Sequence, residues 1–264
     1  MKKYWAFFRG YLITHFEYRA VPVCWAVIQL VITASGVFLW TAIFRDQTMV
    51  GNYDASQMIF YYLLIPLIGS ITHVYVSSSL PQRIESGQFS FALLKPYSYA
   101  LVNLLRQLAN KTNEQLFKVP FFLVFFLFFS SALDFHLKGI NLLLAFGFSL
   151  LAFWLHFWLD YALSLGAFWL TNVWALKHFK LVSIMIFGGM MIPLDLVPAG
   201  WKRIFFFLPW QFFYFFPIKI AQGYFSPDEI FSGFIKIVLW SGFFYFLSRH
   251  LWRRGLTKYE AYGS

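Results

Sequence analysis

Three residues in the apolar stretches of this sequence carry groups able to move a proton or bind a metal: His73, His156 and Asp160. His156 and Asp160 lie four apart, so on a helix they share a face. An ionisable residue within an apolar run marks a functional site by default. An imidazole beside a carboxylate could relay a proton, but two groups make an incomplete metal site. Lys177 and Lys180 follow closely in the chain, so the favoured reading of Asp160 is a structural ion pair near the end of its helix. His73 stands apart and reads as a hydrogen-bonded packing residue. The motifs that would turn such groups into an enzyme are missing. There is no G-x-x-x-x-G-K-[ST] phosphate loop, no H-E-x-x-H pair and no G-x-S-x-G elbow. The lone cysteine, Cys24, excludes an internal disulfide, and no Cys/His pair has zinc-ligand spacing. No catalytic residue, metal or cofactor is therefore expected in this chain.

The elements that position these residues are set by composition. Hydrophobic residues make up 60% of the 264 and charged residues 12%. A soluble domain has roughly a quarter of its residues charged, so most of this surface must face lipid. The 36 Phe and 11 Trp point the same way. The net charge of +10 comes from Lys and Arg placed between apolar runs rather than along one stripe, which argues against nucleic acid as a partner. At the N-terminus Lys2 and Lys3 resemble the start of a signal peptide, but Arg9, His15, Glu17 and Arg19 interrupt the apolar core. Trp5, Phe8, Leu12 and Phe16 recur at helical spacing instead, so residues 1–20 read as an amphipathic helix lying on the membrane.

The expected fold is an all-α integral membrane protein, a single domain over 1–264 with six transmembrane helices. The first span runs from Val21 to Phe44 and the second from Gln57 to Leu80, punctuated by Pro66 and Gly69. A long polar stretch, 81–118, precedes a short Phe-rich third span, Val119 to Leu133. A tight connection, Asp134 to Gly139, leads into the fourth, Asn141 to Leu170. The fifth begins near Leu181 and falters at Pro193, and the sixth runs from Ile230 to Leu247. Ala162 with Gly166, and the Gly188-Gly189 pair, offer close helix contact.

Of the 21 Lys and Arg residues, fifteen fall in the N-terminus, 81–118, 171–180 and the C-terminal tail. The positive-inside rule then makes both termini cytoplasmic, as an even number of spans requires. The segment 192–223 is too apolar for a loop, and its four prolines break it too often for one helix. It reads as short helices that dip into the outer leaflet and return, with Trp201, Trp210 and Tyr214 at headgroup level. The competing reading is a seventh span, Ile204 to Ile220, which would break the charge asymmetry.

The stretch 81–99 is too long for a plain connector. Arg83, Ile84 and Glu85 fit a short helix ended by Gly87, and Phe89, Phe91, Leu93 and Leu94 offer apolar knobs before Lys95-Pro96. Leu101, Leu105, Leu108, Thr112 and Leu116 then share one helical face. Such an element either lies on the inner leaflet or docks a cytoplasmic partner.

The run I-E-S-G-Q-F-S-F-A-L-L-K-P, Ile84 to Pro96, resembles the pattern after the second span of ABC-2-type exporter permeases, in particular those partnered with daunorubicin-resistance-like ATPases. Glu17-Tyr18-Arg19, the broken segment from Gly189 to Pro209, and the tail Arg254-Gly255-Leu256 with Lys258-Tyr259-Glu260 fit in the same order. The resemblance implies a plasma-membrane (inner-membrane) subunit that forms a substrate path with a second permease, either the same chain or a related one. ATP-binding-cassette ATPase subunits, which hold the ATP and Mg, would dock beneath. It also implies a coupling helix at Arg83, Ile84, Glu85, Ser86, Gly87, Gln88 and Phe89, with Lys95 nearby. Glu85 would pair with an arginine of the ATPase, while Ile84 and Phe89 fill its groove. A lipid, a lipid-linked saccharide, a hydrophobic small molecule or a peptide would suit as substrate. The alternative from another class is a secondary transporter or channel using His156 and Asp160. Inverted repeats would support it, and the two halves show none.

Overall fold

The computed structural model describes residues 2–17, 20–77, 79–129, 138–170 and 172–259. Its helices, in chain order, are α1 (Lys2–Glu17), α2 (Ala20–Ile43), α3 (Ala55–Thr72), α4 (Ser79–Glu85), α5 (Gln88–Leu93) and α6 (Tyr99–Phe129). They continue with α7 (Gly139–Ser164), α8 (Trp174–Phe187), α9 (Ala199–Phe207), α10 (Phe215–Gln222) and α11 (Pro227–Lys258). No strand forms among the described residues. Among the described residues, four stretches are long and apolar enough to cross a membrane: Val23–Ile43, Ala55–Thr72, Gly139–Phe168 and Pro227–Lys258.

Local chemistry starts two of these helices. Asp54 accepts from the Gln57 N–H at 2.8 Å while the Gln57 side chain accepts from the Asp54 N–H at 3.1 Å. Ser226 and Glu229 make the same reciprocal box before α11, with Pro227 in its first turn. Apolar faces then point both ways. Val31, Phe38 and Leu39 of α2 and Leu239 and Phe246 of α11 are exposed. In a bilayer such a face meets its own solvent, so packing rather than water exclusion must hold the helices together. The packing centres on α7, which contacts α11, α10 and α3. Its Ala152, Leu155 and Leu159 share one cluster with Phe212, Phe213, Phe215 and Ile218.

Several boundaries differ from expectation. The second span stops at Thr72 rather than continuing to Leu80, for reasons given below. The third apolar run is the end of a 31-residue helix that begins at Tyr99 and passes through Pro120. The helix of the fifth run, α8, has 14 residues, a length of about 21 Å against a hydrocarbon core of about 30 Å. The segment 192–223 is divided into the turn Leu194–Leu196, α9, the turn Pro209–Phe213 and α10. No helix runs from Ile204 to Ile220, because α9 ends at Phe207 and the chain stays non-α-helical to Tyr214. Trp201 is exposed as an interfacial residue would be, whereas Tyr214 is buried against α3. Gly69 makes room for it, since a Cβ there would sit 2.9 Å from the Tyr214 ring. The expected connection after Asp134 lies outside the described residues as far as 137, as do Tyr18, Arg19 and Glu260.

Candidate functional site

After Thr72 the backbone leaves the helix: the His73 N–H still reaches the Gly69 carbonyl at 3.0 Å, and residues 74–76 then connect α3 to the region of α4 in a non-helical conformation. Inside a membrane protein such a break needs other partners for its N–H and C=O groups. Side chains of α6, α7 and α8 supply them. Asp160 on α7 accepts from the N–H groups of Val76 at 2.5 Å and Ser77 at 2.9 Å. Lys180 on α8 donates to the other carboxylate oxygen at 2.5 Å and reaches the Val74 carbonyl at 3.3 Å. The two side chains are 0% and 4% exposed. His156, one turn before Asp160, places Nδ1 2.9 Å from the Thr72 carbonyl. Since a carbonyl only accepts, Nδ1 carries the proton. His73 meets the His156 ring edge-on at 5.3 Å, and Phe213 stacks on its face at 4.5 Å.

From the opposite side α6 lays a polar ladder along the break. Gln107 brackets Tyr75, donating to its carbonyl at 3.1 Å and accepting from its N–H at 3.2 Å. Lys111 donates to the Ser70 carbonyl at 2.8 Å, Gln115 to the Ser70 hydroxyl at 2.9 Å, and Ser79 donates to Asn103 at 3.2 Å. Asn103, Gln107, Lys111 and Gln115 are spaced by four, which puts them on one stripe. That spacing is legible in the sequence. The apolar stripe, read as lying on the inner leaflet or docking a partner, faces outward: Leu101, Leu108 and Leu116 are exposed. In lipid the amphipathic rule inverts, and polar groups turn inward.

The sequence-derived candidates His73, His156 and Asp160 thus meet at one place, joined by Lys180 rather than Lys177. Among the described residues no group of three His, Cys, Asp or Glu side chains can hold a metal. Asp160 is engaged on both oxygens, so the arrangement fixes a backbone rather than holding a carboxylate ready to exchange protons.

Beside the break lies a cavity of about 430 Å³ between α2, α3, α6 and α8. Its apolar wall includes Trp25, Ile32, Ile65, Ile184 and Met190, and Glu114, Lys118, Lys177, His178 and Lys180 line its polar part. Glu114 sits between Lys118 at 3.2 Å and Lys111 at 3.6 Å.

The chain leaves the break into α4 and α5. Gly87 turns between them at φ 70°, a left-handed conformation that a side chain would strain. Phe89 is wholly buried, ringed by Tyr99, Phe168, Trp252 and Tyr259 at centroid distances of 5.0 to 6.0 Å. Ile84 packs against the same cluster, and the hydroxyls of Ser90 and Tyr259 lie 2.8 Å apart. Phe89, expected to fill a partner's groove, is therefore engaged within the chain, whereas Ile84 is half-buried. The outward groups include Glu85, Ser86, Gln88, Phe91, Leu93, Leu94 and Lys95. Arg83 is half-buried over the Tyr99 ring. Helix α1 joins this region through Lys3, which donates to the Pro96 carbonyl at 2.6 Å, and through Phe7 against Tyr97.

The sequence model of a family described as ABC-2 family transporter protein matches residues 30–263. No curated protein and no solved structure matches the chain.

Proposed function

The chain belongs to the ABC-2 transporter family, and from that premise we propose that it is the membrane-spanning subunit of an ATP-driven exporter. In this reading the apolar end of α6 and α8 with the chain after it supply two further crossings, making six, with both termini in the cytoplasm at the plasma membrane. A second permease, this chain or a relative, completes the substrate path. Separate ATPase subunits hold the ATP and Mg and dock on the outward side of α4 and α5, with Glu85 meeting a partner arginine and Phe91 and Leu94 supplying the apolar contact.

The observation that carries this reading is the set of contacts that ties that surface to the bundle. Phe89 anchors α5 to the end of α11, Ser79 bonds to Asn103 of α6, and Val76 and Ser77 are gripped by Asp160. A push on α4 and α5 is therefore transmitted to the break beside the cavity rather than absorbed in a loop. A proton-coupled transporter would need Asp160 to change partners, and its three short bonds oppose that.

The test is a detergent pull-down of the tagged full chain from its native membrane, wild type against Glu85→Arg. The expected result is a soluble ATPase recovered with the wild type and lost from the variant. Recovery with both would move the contact away from Glu85, and recovery with neither would remove the exporter reading.

A further inference from the structure

We propose that the groove where α7 and α11 meet the start of α6 holds the phosphate of an anionic phospholipid, with Arg249 and Arg253 on the phosphate and the acyl chains left in the bilayer. The site stands on its own residues, and only its assignment to the inner leaflet rests on the topology proposed above.

The groove encloses about 480 Å³, within the range of about 300–1,000 Å³ found for small-ligand sites. The rings of Trp158, Tyr161, Tyr245 and Trp252 wall it, and Arg249 and Arg253 bring charge to it. Its depth in the membrane follows from α11. Phe243 and Phe246 are exposed and face lipid, as does Trp154 on α7. One turn beyond Phe246 the helix becomes basic, with Arg249, Arg253 and Arg254 in quick succession. Aromatic walls at such a boundary lie at headgroup level, and a basic pocket between spans on the cytoplasmic side suits an anionic headgroup.

The charged and N–H groups of the lining are all donors, and among the described residues no carboxylate lines the groove. Arg249 donates to the Tyr245 hydroxyl at 3.2 Å, which uses one of the five N–H groups of a guanidinium. The planar fork that remains matches phosphate oxygens. Trp158 is 8% exposed, and its buried Nε1–H has no acceptor among the described residues. A buried indole N–H ordinarily has one, and a phosphate oxygen serves.

The rings leave no open cage for a quaternary ammonium, which an aromatic box would otherwise attract. Trp252 stacks with Tyr99 at 5.7 Å and with Tyr161 at 6.4 Å, and the Arg249 guanidinium already lies 5.8 Å from the Tyr245 centroid. A zwitterionic head has its phosphate answered and its ammonium left over. An anionic lipid brings no such group. Tyr99 and Trp252 also ring Phe89, so the headgroup lies one layer of rings from α5.

The experiment uses the full chain with its co-purifying subunits in nanodiscs of phosphatidylcholine. Two photoactivatable probes are compared, a diazirine-bearing phosphatidylglycerol and the phosphatidylcholine of the same acyl chains. Labelling of Trp154, Tyr245 and Phe246 is mapped by peptide and scaled to that of Val31, which faces lipid on α2. The expected result is labelling severalfold stronger with phosphatidylglycerol. Arg249→Gln with Arg253→Gln brings the ratio of the two probes to one. Arg254→Gln with Lys258→Gln removes the same charge from the same helix end at exposed positions outside the groove lining, and leaves the ratio unchanged. Equal labelling of the wild type by the two probes would overturn the proposal. So would an equal loss in the two double variants, which would show diffuse attraction to a basic tail. Millimolar inorganic phosphate should leave the labelling in place, and its abolition would mean a soluble anion rather than a lipid. ATPase recovery is scored on the same preparation. Selectivity absent with the ATPase retained removes the lipid site alone. Selectivity present without an ATPase keeps the site and removes the exporter.

Discussion

Two ion pairs, one near each end of the bundle, differ in what they hold. On the side of α4, Asp160 and Lys180 bind each other and three backbone groups, at Val74, Val76 and Ser77. On the other side, Asp195 and Lys219 meet at 2.9 Å, and their further bonds go to a side chain. The Tyr53 hydroxyl donates to both oxygens of Asp195 at 2.9 Å and accepts from Lys219 at 3.0 Å, and Lys219 lies 4.4 Å from the Tyr53 ring and 3.6 Å from that of Tyr224. Burial, with Asp195 adjacent, pushes the Tyr53 phenol well up, so it keeps its proton and remains a donor. Asp195 is 22% exposed against 0% for Asp160. The inner pair therefore substitutes for missing helix, while the outer pair clamps the loop before α3 to the segment 192–223. The same two residue types give a backbone scaffold in one place and a side-chain staple in the other.

The largest effect should come from Asp160→Ala. It leaves a buried ammonium without its counter-ion and two N–H groups without an acceptor, a loss of about 3–5 kcal/mol, read as a fall in thermal unfolding temperature in detergent. Pairing it with a second change sharpens the comparison. Asp160→Leu with Lys180→Met removes both charges, which at many buried pairs costs little. Here the N–H groups of Val76 and Ser77 stay unanswered, each costing about 1–3 kcal/mol, so recovery should be partial. Full recovery would show that the backbone does not depend on the carboxylate, and the distinction between the two pairs would collapse.

This difference also explains what could be seen in advance. The helices α2, α3, α7 and α11 follow from apolar runs, and α3 and α11 begin at capping boxes that are local in sequence. The turn at Gly87 was legible because glycine is the residue that tolerates its φ. His156 and Asp160 were found because helical spacing is local. Lys180 was one of the two lysines expected to pair with Asp160, but the backbone partners at Thr72, Val76 and Ser77 were not, since no periodicity encodes contacts between α7 and the chain after α3. The expected continuation of α3 to Leu80 failed for the same reason: residues 73–77 are apolar enough to stay helical, and the carboxylate that draws them out sits 84 residues away. Phe89 looked like an outward knob because nothing nearby in sequence reveals the aromatic cage made by Tyr99, Phe168, Trp252 and Tyr259. Solvent explains the leucine stripe of α6. In water it would have been the core face, and lipid makes it the surface.

Asp195→Ala comes next in size. Lys219 keeps the Tyr53 hydroxyl and the two rings, so the loss should be about 1.5–3 kcal/mol, the range for a hydrogen bond to a charged group. The effect should be local: faster amide exchange over 194–207, with no change at 73–80 and undiminished ATPase recovery in the pull-down. Faster exchange at 73–80 would mean that the two pairs share one cooperative unit, and the separation of scaffold from staple would be wrong.

The smallest effect tests the staple alone. Tyr53→Phe deletes one hydroxyl from a fully buried ring and leaves the direct contact of Asp195 with Lys219. The ring face near Lys219 also survives, and phenylalanine attracts a cation much as tyrosine does. The carboxylate loses a donor and the ammonium an acceptor, yet each retains the other, so about 1 kcal/mol is expected. The measurement is the unfolding temperature of Tyr53→Phe alone and combined with Asp195→Ala. If the hydroxyl acts through Asp195, the double variant loses less than the two single losses added together, because the bond it removes is already broken. Strict additivity would assign the hydroxyl's contribution to Lys219 instead, making the ammonium rather than the carboxylate the centre of the outer cluster.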